Sequence, residues 1–220
     1  EVENAMVAVS CGEGMDAEFT GLGVTGIISG GQTMNPSIDT IEKAIRKVNA
    51  RNVFVLPNNP NIIMAAQQAA ELSDRNVVVI PTRTMVQGVA AAMAYAHENT
   101  PDVNKKRMEK AAASVKSGAV TYAVRDTSYN GLTIQKDDII GLMDNTITAV
   151  GKTISEATLS LIEKMAEDNE EAMITLYYGE DVSDEDAEAM SEAVQEKLPD
   201  AEVILCPGGQ PLYYYYIAVE

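Results

Sequence analysis

Short apolar runs alternate with helix-spaced apolar positions along the first hundred residues. The runs occupy residues 5–10, 24–29, 52–56 and 76–80. Between them, apolar residues recur at intervals of three and four, which is typical of amphipathic helices. Nearly continuous apolar strands are typical of a parallel sheet covered on both faces. The pattern therefore predicts an α/β fold built from repeated strand–helix–strand units, with helices flanking a parallel sheet.

A second pattern follows a break at residues 98–102, where Thr100-Pro101 favours the start of a new helix. A polar helix is predicted over residues 103–116, ended by Gly118, and we interpret it as a bridge between two lobes. The predicted division is an N-terminal lobe (1–100), a bridging helix (101–118) and a C-terminal lobe (119–220). The C-terminal lobe should hold a mixed sheet with helices, because its strand and helix patterns lack the regular alternation of the first. Its predicted strands are 119–125, 132–134, 139–143, 146–150, 172–178, 202–206 and 212–219, with helices near 154–165 and 183–198 and a turn at Asn130-Gly131.

Three polar loops follow the second, third and fourth predicted strands, at residues 30–37, 57–61 and 81–88. Asn35-Pro36 and Asn59-Pro60 each place a helix-capping residue before a proline, and Thr84 and Gln87 have capping-box spacing. Loops after parallel strands emerge at one edge of the sheet, where ligand crevices form in open α/β sheets. Helix N-termini directed at that edge favour a carboxylate, a phosphate or a polar peptide segment. The candidate residues for this ligand or partner edge are Gln32, Thr33, Asn35, Ser37, Asn58, Asn59, Asn61, Thr82, Thr84 and Gln87.

The alternative for each of these residues is a purely structural role. Helix caps stabilise a helix by about 1 kcal/mol whatever the protein does. One Asn or Thr in such a loop is therefore weak evidence of binding, whereas three polar loops on one edge are stronger evidence. The sequence leaves the two interpretations open.

Charge and composition exclude several classes of function. The chain has 33 acidic and 16 basic residues, a formal net charge of −17. Nucleic-acid binding requires a basic surface, so we expect no nucleic-acid partner. Two cysteines form no disulfide framework, which favours a reducing, cytoplasmic location. The sequence contains no run of 18 apolar residues, so no transmembrane segment is predicted. The absence of an initiator Met suggests a piece of a longer protein.

Candidate catalytic chemistry is sparse. No phosphate-binding loop or nucleophile elbow occurs in the sequence. His97, the single histidine, is interpreted as a residue at a helix C-terminus that interacts favourably with the helix dipole. The acidic residues at 181–188 are interpreted as a solvated helix start, and the four tyrosines at 213–216 as a strand with two buried and two outward-facing rings. We predict no catalytic residue and no metal ligand in this chain.

Several long motifs carry a family resemblance. They are G-G-Q-T-M-N-P-S at 30–37, L-P-N-N-P-N-I at 56–62, A-A-Q-Q-A-A at 65–70, V-I-P-T-R-T-M-V-Q-G at 79–88 and G-G-Q-P-L-Y-Y-Y at 208–215. The chain resembles the C-terminal region of the YloV-type, dihydroxyacetone kinase-like family, the ATP-binding subunits of bacterial fatty acid kinase. The resemblance implies a two-lobed, DegV-like (EDD-type) fold. It covers essentially the whole chain.

The resemblance also implies what this region lacks. In that family ATP and magnesium bind an N-terminal domain, which has no counterpart here, so we expect this chain alone to be inactive while its parent is an ATP-dependent phosphotransferase. The implied partner is a DegV-type fatty-acid-binding protein, and a homo-oligomer is a further expectation. The implied role is docking of that partner or pairing of subunits; the alternative is a lipid- or small-anion-binding module. Residues 33–37 resemble the T-S-Q-P-S-like carboxylate-binding loop of DegV proteins, but Met34 replaces a hydroxyl donor.

Overall fold

The computed structural model describes residues 1–31 and 34–220, and the chain divides into two compact units. The first unit contains residues 1–11 and 15–115, and the second contains residues 12–14 and 116–220. The elements up to residue 115 are β1 (Val2–Ser10), α1 (Glu13–Gly21), β2 (Gly26–Ser29), α2 (Ile38–Lys47), β3 (Ala50–Leu56), α3 (Pro60–Leu72), β4 (Asn76–Val79), α4 (Met85–Ala94) and α5 (Pro101–Ser114).

The first unit is built on a four-stranded sheet in the order β2-β1-β3-β4, with every pair of neighbours parallel. Helices α2 and α3 bury Ile41, Ile45, Ile62 and Ala66 against one face of it. Helix α4 contacts β1, and α5 packs against α4. The predicted parallel sheet with flanking helices is therefore confirmed, and its strands are the apolar runs of the sequence.

A ladder of asparagine side chains crosses three of these strands near their amino ends. Asn4, Asn52 and Asn76 lie opposite one another in the register of β1, β3 and β4. Asn76 Nδ2 donates to Asn52 Oδ1 at 2.8 Å, and Asn52 Nδ2 donates to Asn4 Oδ1 at 2.9 Å. Asn4 Nδ2 in turn donates to the carbonyl of His97 at 2.9 Å. Asn4 and Asn52 are buried, so each depends on these bonds for its polar atoms.

We expect Asn52→Ala to lower the free energy of unfolding by about 2–3 kcal/mol, because it leaves the buried Asn4 oxygen without a donor. Asn76→Ala is the matched control, since Asn76 is exposed at the end of the ladder and water can replace its bond. Its loss should be below about 1 kcal/mol. Urea denaturation of both variants measures the difference; equal losses would contradict the idea that burial of the Asn4 oxygen sets the cost.

Helix α4 ends three residues before His97, so the predicted placement of His97 at a helix C-terminus is wrong. Tyr95 adopts an extended conformation (φ −68°, ψ 138°), and its ring packs edge-on against Phe54 with centroids 5.6 Å apart. Asn104, fully buried in α5, then binds Ala96 on both sides: Ala96 N–H donates to its Oδ1 at 3.0 Å and its Nδ2 donates to the Ala96 carbonyl at 2.9 Å. These contacts, which have no local sequence signal, end the helix early.

Helix α5 ends at Ser114, earlier than the predicted 116, and packs against α4 within the first unit. Val115 is already extended (φ −80°, ψ 135°), and the next strand begins directly at Lys116. Gly118 therefore does not end a helix but lies within a strand. A Cβ atom there would lie 2.6 Å from Met165 Sδ, so the glycine allows close packing on a neighbouring helix. The unit boundary falls between Val115 and Lys116.

The second unit contains a six-stranded sheet, a small hairpin and two helices. Its elements are β5 (Lys116–Tyr122), β6 (Thr127–Tyr129), β7 (Leu132–Ile134), β8 (Ile139–Met143), β9 (Thr146–Gly151), α6 (Ile154–Met165), β10 (Met173–Tyr178), α7 (Asp184–Lys197), β11 (Glu202–Pro207) and β12 (Tyr215–Val219). Among the described residues, no helix has both the length and the apolarity needed to cross a membrane.

The six strands have the order β11-β10-β12-β5-β8-β9, with β10–β11 parallel and the other pairs antiparallel. The predicted mixed sheet is thus confirmed. Helix α6 packs on β5, β8 and β9, and α7 packs on β11. The predicted turn at Asn130-Gly131 joins β6 to β7, with φ values of 47° and 79° that only these residue types adopt readily.

The tyrosine run does not alternate as predicted. The strand begins only at Tyr215, because Leu212 adopts a positive φ of 70° and the chain reaches the sheet later. Tyr215 and Tyr216 are both buried, whereas Tyr213 and Tyr214 precede the strand and are half-buried. Burial raises the pKa of Tyr215 to about 12. Tyr215, with Tyr214 packed beside it, belongs to the core of the second unit, whereas Tyr213 and Tyr216 pack against each other with ring centroids 5.3 Å apart.

Asp138, a buried carboxylate next to β8, forms an ion pair with the exposed Lys152. Its Oδ1 accepts from Lys152 Nζ at 2.7 Å and its Oδ2 accepts from the Gln135 N–H at 2.8 Å. The carboxylate side chain is 7% exposed. The Lys152 ammonium, followed by the Gln135 N–H, holds the pKa of Asp138 below its usual range.

A lowered pKa in the folded state means that Asp138 stabilises the fold above its unfolded pKa of about 3.9, and that this stability is lost as the pH falls through the folded pKa. We therefore expect Asp138→Asn to be less stable than the parent near neutral pH. The difference should shrink below about pH 4. Denaturant midpoints of both proteins from about pH 7 down to about pH 2.5 test it, and parallel curves would contradict it.

Candidate functional site at the carboxyl edge of the parallel sheet

The predicted polar loops lie at one edge of the first unit. Because β1 to β4 are all parallel, their carboxyl ends meet at the same edge, which we call the carboxyl edge. It comprises residues 30–31 and 34–37 after β2, 57–61 after β3 and 80–88 after β4. The predicted site residues Gln32 and Thr33 lie outside the described residues. The other predicted residues have two distinct kinds of surroundings.

Asn58 and Thr82 are buried and bonded to each other. The Asn58 N–H donates to Thr82 Oγ1 at 3.0 Å, and the Thr82 hydroxyl donates to Asn58 Oδ1 at 2.8 Å. Asn58 Nδ2 also donates to the Val9 carbonyl at 2.9 Å, which ties the loop to the central strand β1. Asn58 is 5% exposed and Thr82 fully buried. Their side chains join three strand ends and are already engaged by protein groups.

Gly88 in α4 makes room for this network. A Cβ atom at Gly88 would overlap the side-chain amide of Asn58. Asn58 itself has a φ of 60°, in the left-handed region that asparagine tolerates better than most residues. The pair Asn58 and Gly88 is therefore a matched packing arrangement. Gly88 did not belong to the predicted site, and its helical context gives no sequence signal for this contact.

The capping residues are partly those predicted. Asn59 caps α3, accepting from the Asn61 N–H at 2.9 Å, with Pro60 at the first helical position as predicted. The predicted Asn35-Pro36 cap is wrong: Ser37 caps α2, and its Oγ accepts from the Thr40 N–H at 3.1 Å. Ser37 is extended (φ −73°, ψ 162°), so the helix begins two residues later than the proline rule suggests.

Thr84 and Gln87 form a variant of the capping box. Thr84 Oγ1 accepts from the Gln87 N–H at 3.1 Å, as predicted. Gln87 Oε1, however, accepts from the N–H of Arg83 at 2.7 Å, one residue before the cap. The Gln87 side chain thus fixes the loop that leads into α4. Gln87 and Arg83 also line a cleft of about 300 Å³ beside Ile80 and Glu109.

A second group of residues, at the carboxyl edge and on the adjoining second turn of α3, is exposed. Met34 is 74% exposed and Met64, on the second turn of α3, is 69% exposed. Asn35 and Asn61 are also exposed. Gly30 permits the loop conformation before Met34, since a Cβ atom there would lie 2.9 Å from the Met34 carbonyl oxygen. Methionine is enriched at protein–protein interfaces, where its flexible side chain adapts to an irregular surface.

The two units together define a two-part α/β fold of the DegV class. Over the whole chain, the structure matches the DegV family protein Cg2579 of Corynebacterium glutamicum with a TM-score of 0.72 and 14% identity, covering 98% of that chain. It also matches the Fak B3 protein of Streptococcus pneumoniae solved with linoleic acid, with a TM-score of 0.64 and 10% identity, covering 99% of that chain. At these identities, the likeness establishes the fold.

The family follows from closer sequence matches. Residues 5–220 match the FakA-like family of C-terminal regions of fatty acid kinase, and the chain belongs to that family. The protein YloV of Bacillus subtilis is 43% identical over 216 residues, which are 98% of this chain and 39% of YloV. The chain spans about 40% of the length of the curated relatives it matches. The family resemblance given by the loop motifs is thereby confirmed.

Proposed function

We propose that this chain is the non-catalytic C-terminal domain of the ATP-binding subunit of a fatty acid kinase, and that it docks the fatty-acid-binding partner of the kinase. In this proposal the parent transfers the γ-phosphate of ATP to a fatty-acid carboxylate held by the partner. ATP and magnesium bind elsewhere in the parent. Within the described residues, no group of three or more His, Cys, Asp or Glu side chains could hold a metal ion.

The observation that best supports docking is the contrast at the carboxyl edge between buried polar residues that bond to the protein and exposed residues that are accessible to a partner. The buried groups there, Asn58 and Thr82, are bonded to each other and, through Asn58, to the Val9 carbonyl. The exposed groups include Met34, Asn35 and Asn61 at this edge and Met64 on the second turn of α3, so that apolar and amide side chains are accessible to a partner. Such a surface suits a protein partner, because methionine side chains adapt to an irregular apposed surface.

The alternative is a lipid or small-anion site at the same edge. A carboxylate held there would need donors that are not already engaged. The buried donors there are engaged by protein oxygens instead: Asn58 Nδ2 donates to the Val9 carbonyl and the Thr82 hydroxyl donates to Asn58 Oδ1. Because these two buried donors are engaged, we favour docking over a buried lipid or anion site. Native mass spectrometry separates the two, since a retained lipid would add a discrete mass to the purified chain.

Calorimetric titration of the 220-residue chain with a DegV-type fatty-acid-binding protein tests the proposal directly. We expect saturable one-to-one binding with a Kd of about 1–50 μM, in the range of transient protein complexes. Self-association would instead appear as concentration-dependent mass in the chain alone and would support the subunit-pairing form of the role. No heat and no complex with the partner at about 100 μM would exclude docking by this domain.

A further inference from the structure

A cleft of about 670 Å³ opens in the first unit, at the opposite end of the sheet from the carboxyl edge. Its volume lies in the range of small-molecule sites. Its walls come from the start of β1, the loop before β2, the last turn of α2 and the segment after α4. The lining includes Ala5, Ile27, Lys47, Val48, Tyr95 and His97.

The cleft exists because β2 is short. Strand β1 runs from Val2 to Ser10 and pairs with β3 from Val2 onward, but β2 pairs only with its second half, from Val7 to Ser10. The first half of β1 therefore has no neighbouring strand on the β2 side among the described residues. The apolar side chains of Ile27, Val48 and Ala5 remain beside that gap. A bound molecule would cover this apolar surface.

The charge of the lining differs from that of the protein. The chain carries 33 acidic and 16 basic residues, yet none of the lining residues is acidic, whereas the other described clefts each include a carboxylate. Lys47 lies at the rim, is exposed and makes no ion pair with any described carboxylate. Its neighbour Lys43, one turn earlier, is paired with Asp39 at 2.8 Å.

A further donor, the Tyr95 phenol, lies in the lining of the same cleft. Burial, with a smaller contribution from Glu98, raises the pKa of the Tyr95 phenol, so the hydroxyl stays protonated and can donate. The phenol lies 3.4 Å from His97 Nδ1. The His97 backbone is fixed, because its carbonyl accepts from Asn4 Nδ2 at the end of the asparagine ladder. A cleft with an apolar floor and with an ammonium and a phenol at its rim fits a ligand that has an apolar body and an anionic head group.

We propose that this cleft binds a small organic carboxylate with an apolar body, whose carboxylate pairs with Lys47 and whose body lies along the unpaired half of β1. The proposal is independent of docking at the carboxyl edge. A charge-assisted bond to an ammonium contributes more than a neutral bond, so the head group should control affinity. The apolar body supplies the remaining free energy by burial.

The test is titration of the isotopically labelled 220-residue chain with decanoate, followed by amide chemical shifts. We expect saturable shifts at the lining residues with a Kd below about 1 mM. Lys47→Gln should weaken decanoate binding about fivefold or more, while Lys43→Gln, on the same helix but outside the cleft, should leave it unchanged. Decylammonium, with the same body and the opposite charge, should bind the cleft more weakly than decanoate.

Three results would overturn the proposal. They are the absence of saturable shifts in the cleft, equal affinity of the parent and Lys47→Gln for decanoate, and tighter binding of decylammonium than of decanoate at the lining residues. Lys47 is exposed, so its substitution leaves the fold intact and the result interpretable. A shift confined to the carboxyl edge would instead support the lipid-binding alternative there.

Discussion

Gly88→Ala is expected to lower the free energy of unfolding by about 2–4 kcal/mol, although alanine is the better helix former. The added methyl group would overlap the Asn58 side-chain amide, which is buried and bonded to Thr82 and to the Val9 carbonyl. Moving Asn58 breaks those bonds in a place that water does not reach, and buried unpaired groups cost about 1–3 kcal/mol each. Equilibrium urea denaturation of the parent and the variant measures the loss.

A double-mutant cycle tests whether the loss comes from overlap with the Asn58 amide or from a general intolerance of alanine at position 88. Asn58 has a positive φ that glycine also adopts, so Asn58→Gly removes the amide without straining the backbone. In that background Gly88→Ala should cost less than about 1 kcal/mol, giving a coupling energy above about 1 kcal/mol. Gly21→Ala is the control, because a Cβ atom at Gly21 meets nothing within 4 Å. Additive losses would refute a direct contact.

The strands of the first unit were predictable because a strand buried on both faces is a continuous apolar run in the sequence. The apolar runs at residues 5–9 in β1 and 53–56 in β3 have no polar interruption, and the structure buries both. The turn at Asn130-Gly131 was predictable for a similar reason, since its positive φ values restrict the residue type. Local signals of this kind established the fold class and the direction of the strands.

The ends of α4 and α5 were not predictable, because distant contacts determine them. Asn104 ends the α4 region by binding Ala96 from eight residues away, and Gly118 serves packing against Met165 rather than a helix end. A glycine after a polar helix has the same local signature in both roles. Only the tertiary partner distinguishes them, and a single sequence does not show it.

For the candidate site, likewise, the sequence predicted the position of the polar loops but not which of their side chains are buried. The sequence correctly placed three polar loops after strands of one sheet, and parallel pairing then brings them to one edge. It could not distinguish Asn58, which is buried and engaged, from Asn61, which is exposed, because both are asparagines beside a helix start. The exposed Met34, which the sequence presented as a lost carboxylate donor, becomes a contact residue in the docking proposal.

Met64→Glu is expected to weaken binding of the DegV-type partner by at least about tenfold, since a buried unpaired carboxylate at an interface costs more than about 1.4 kcal/mol. Met64 lies on the second turn of α3, next to the carboxyl edge, and is 69% exposed in this chain. Met34→Glu, in the loop after β2, should have an effect of similar size. Because both side chains are exposed, neither change should alter the denaturation midpoint by more than a small amount.

Met93→Glu provides the matched control, because it adds the same charge to an equally exposed helical methionine. Met93 is 63% exposed and lies at the end of α4, toward the opposite edge of the sheet. If docking uses the carboxyl edge, partner affinity should survive this substitution within about twofold while Met64→Glu and Met34→Glu lose it. Equal losses in all three variants would point to long-range repulsion by the net charge of −17, which added salt would relieve. Unchanged affinity in all three would place the partner on another surface.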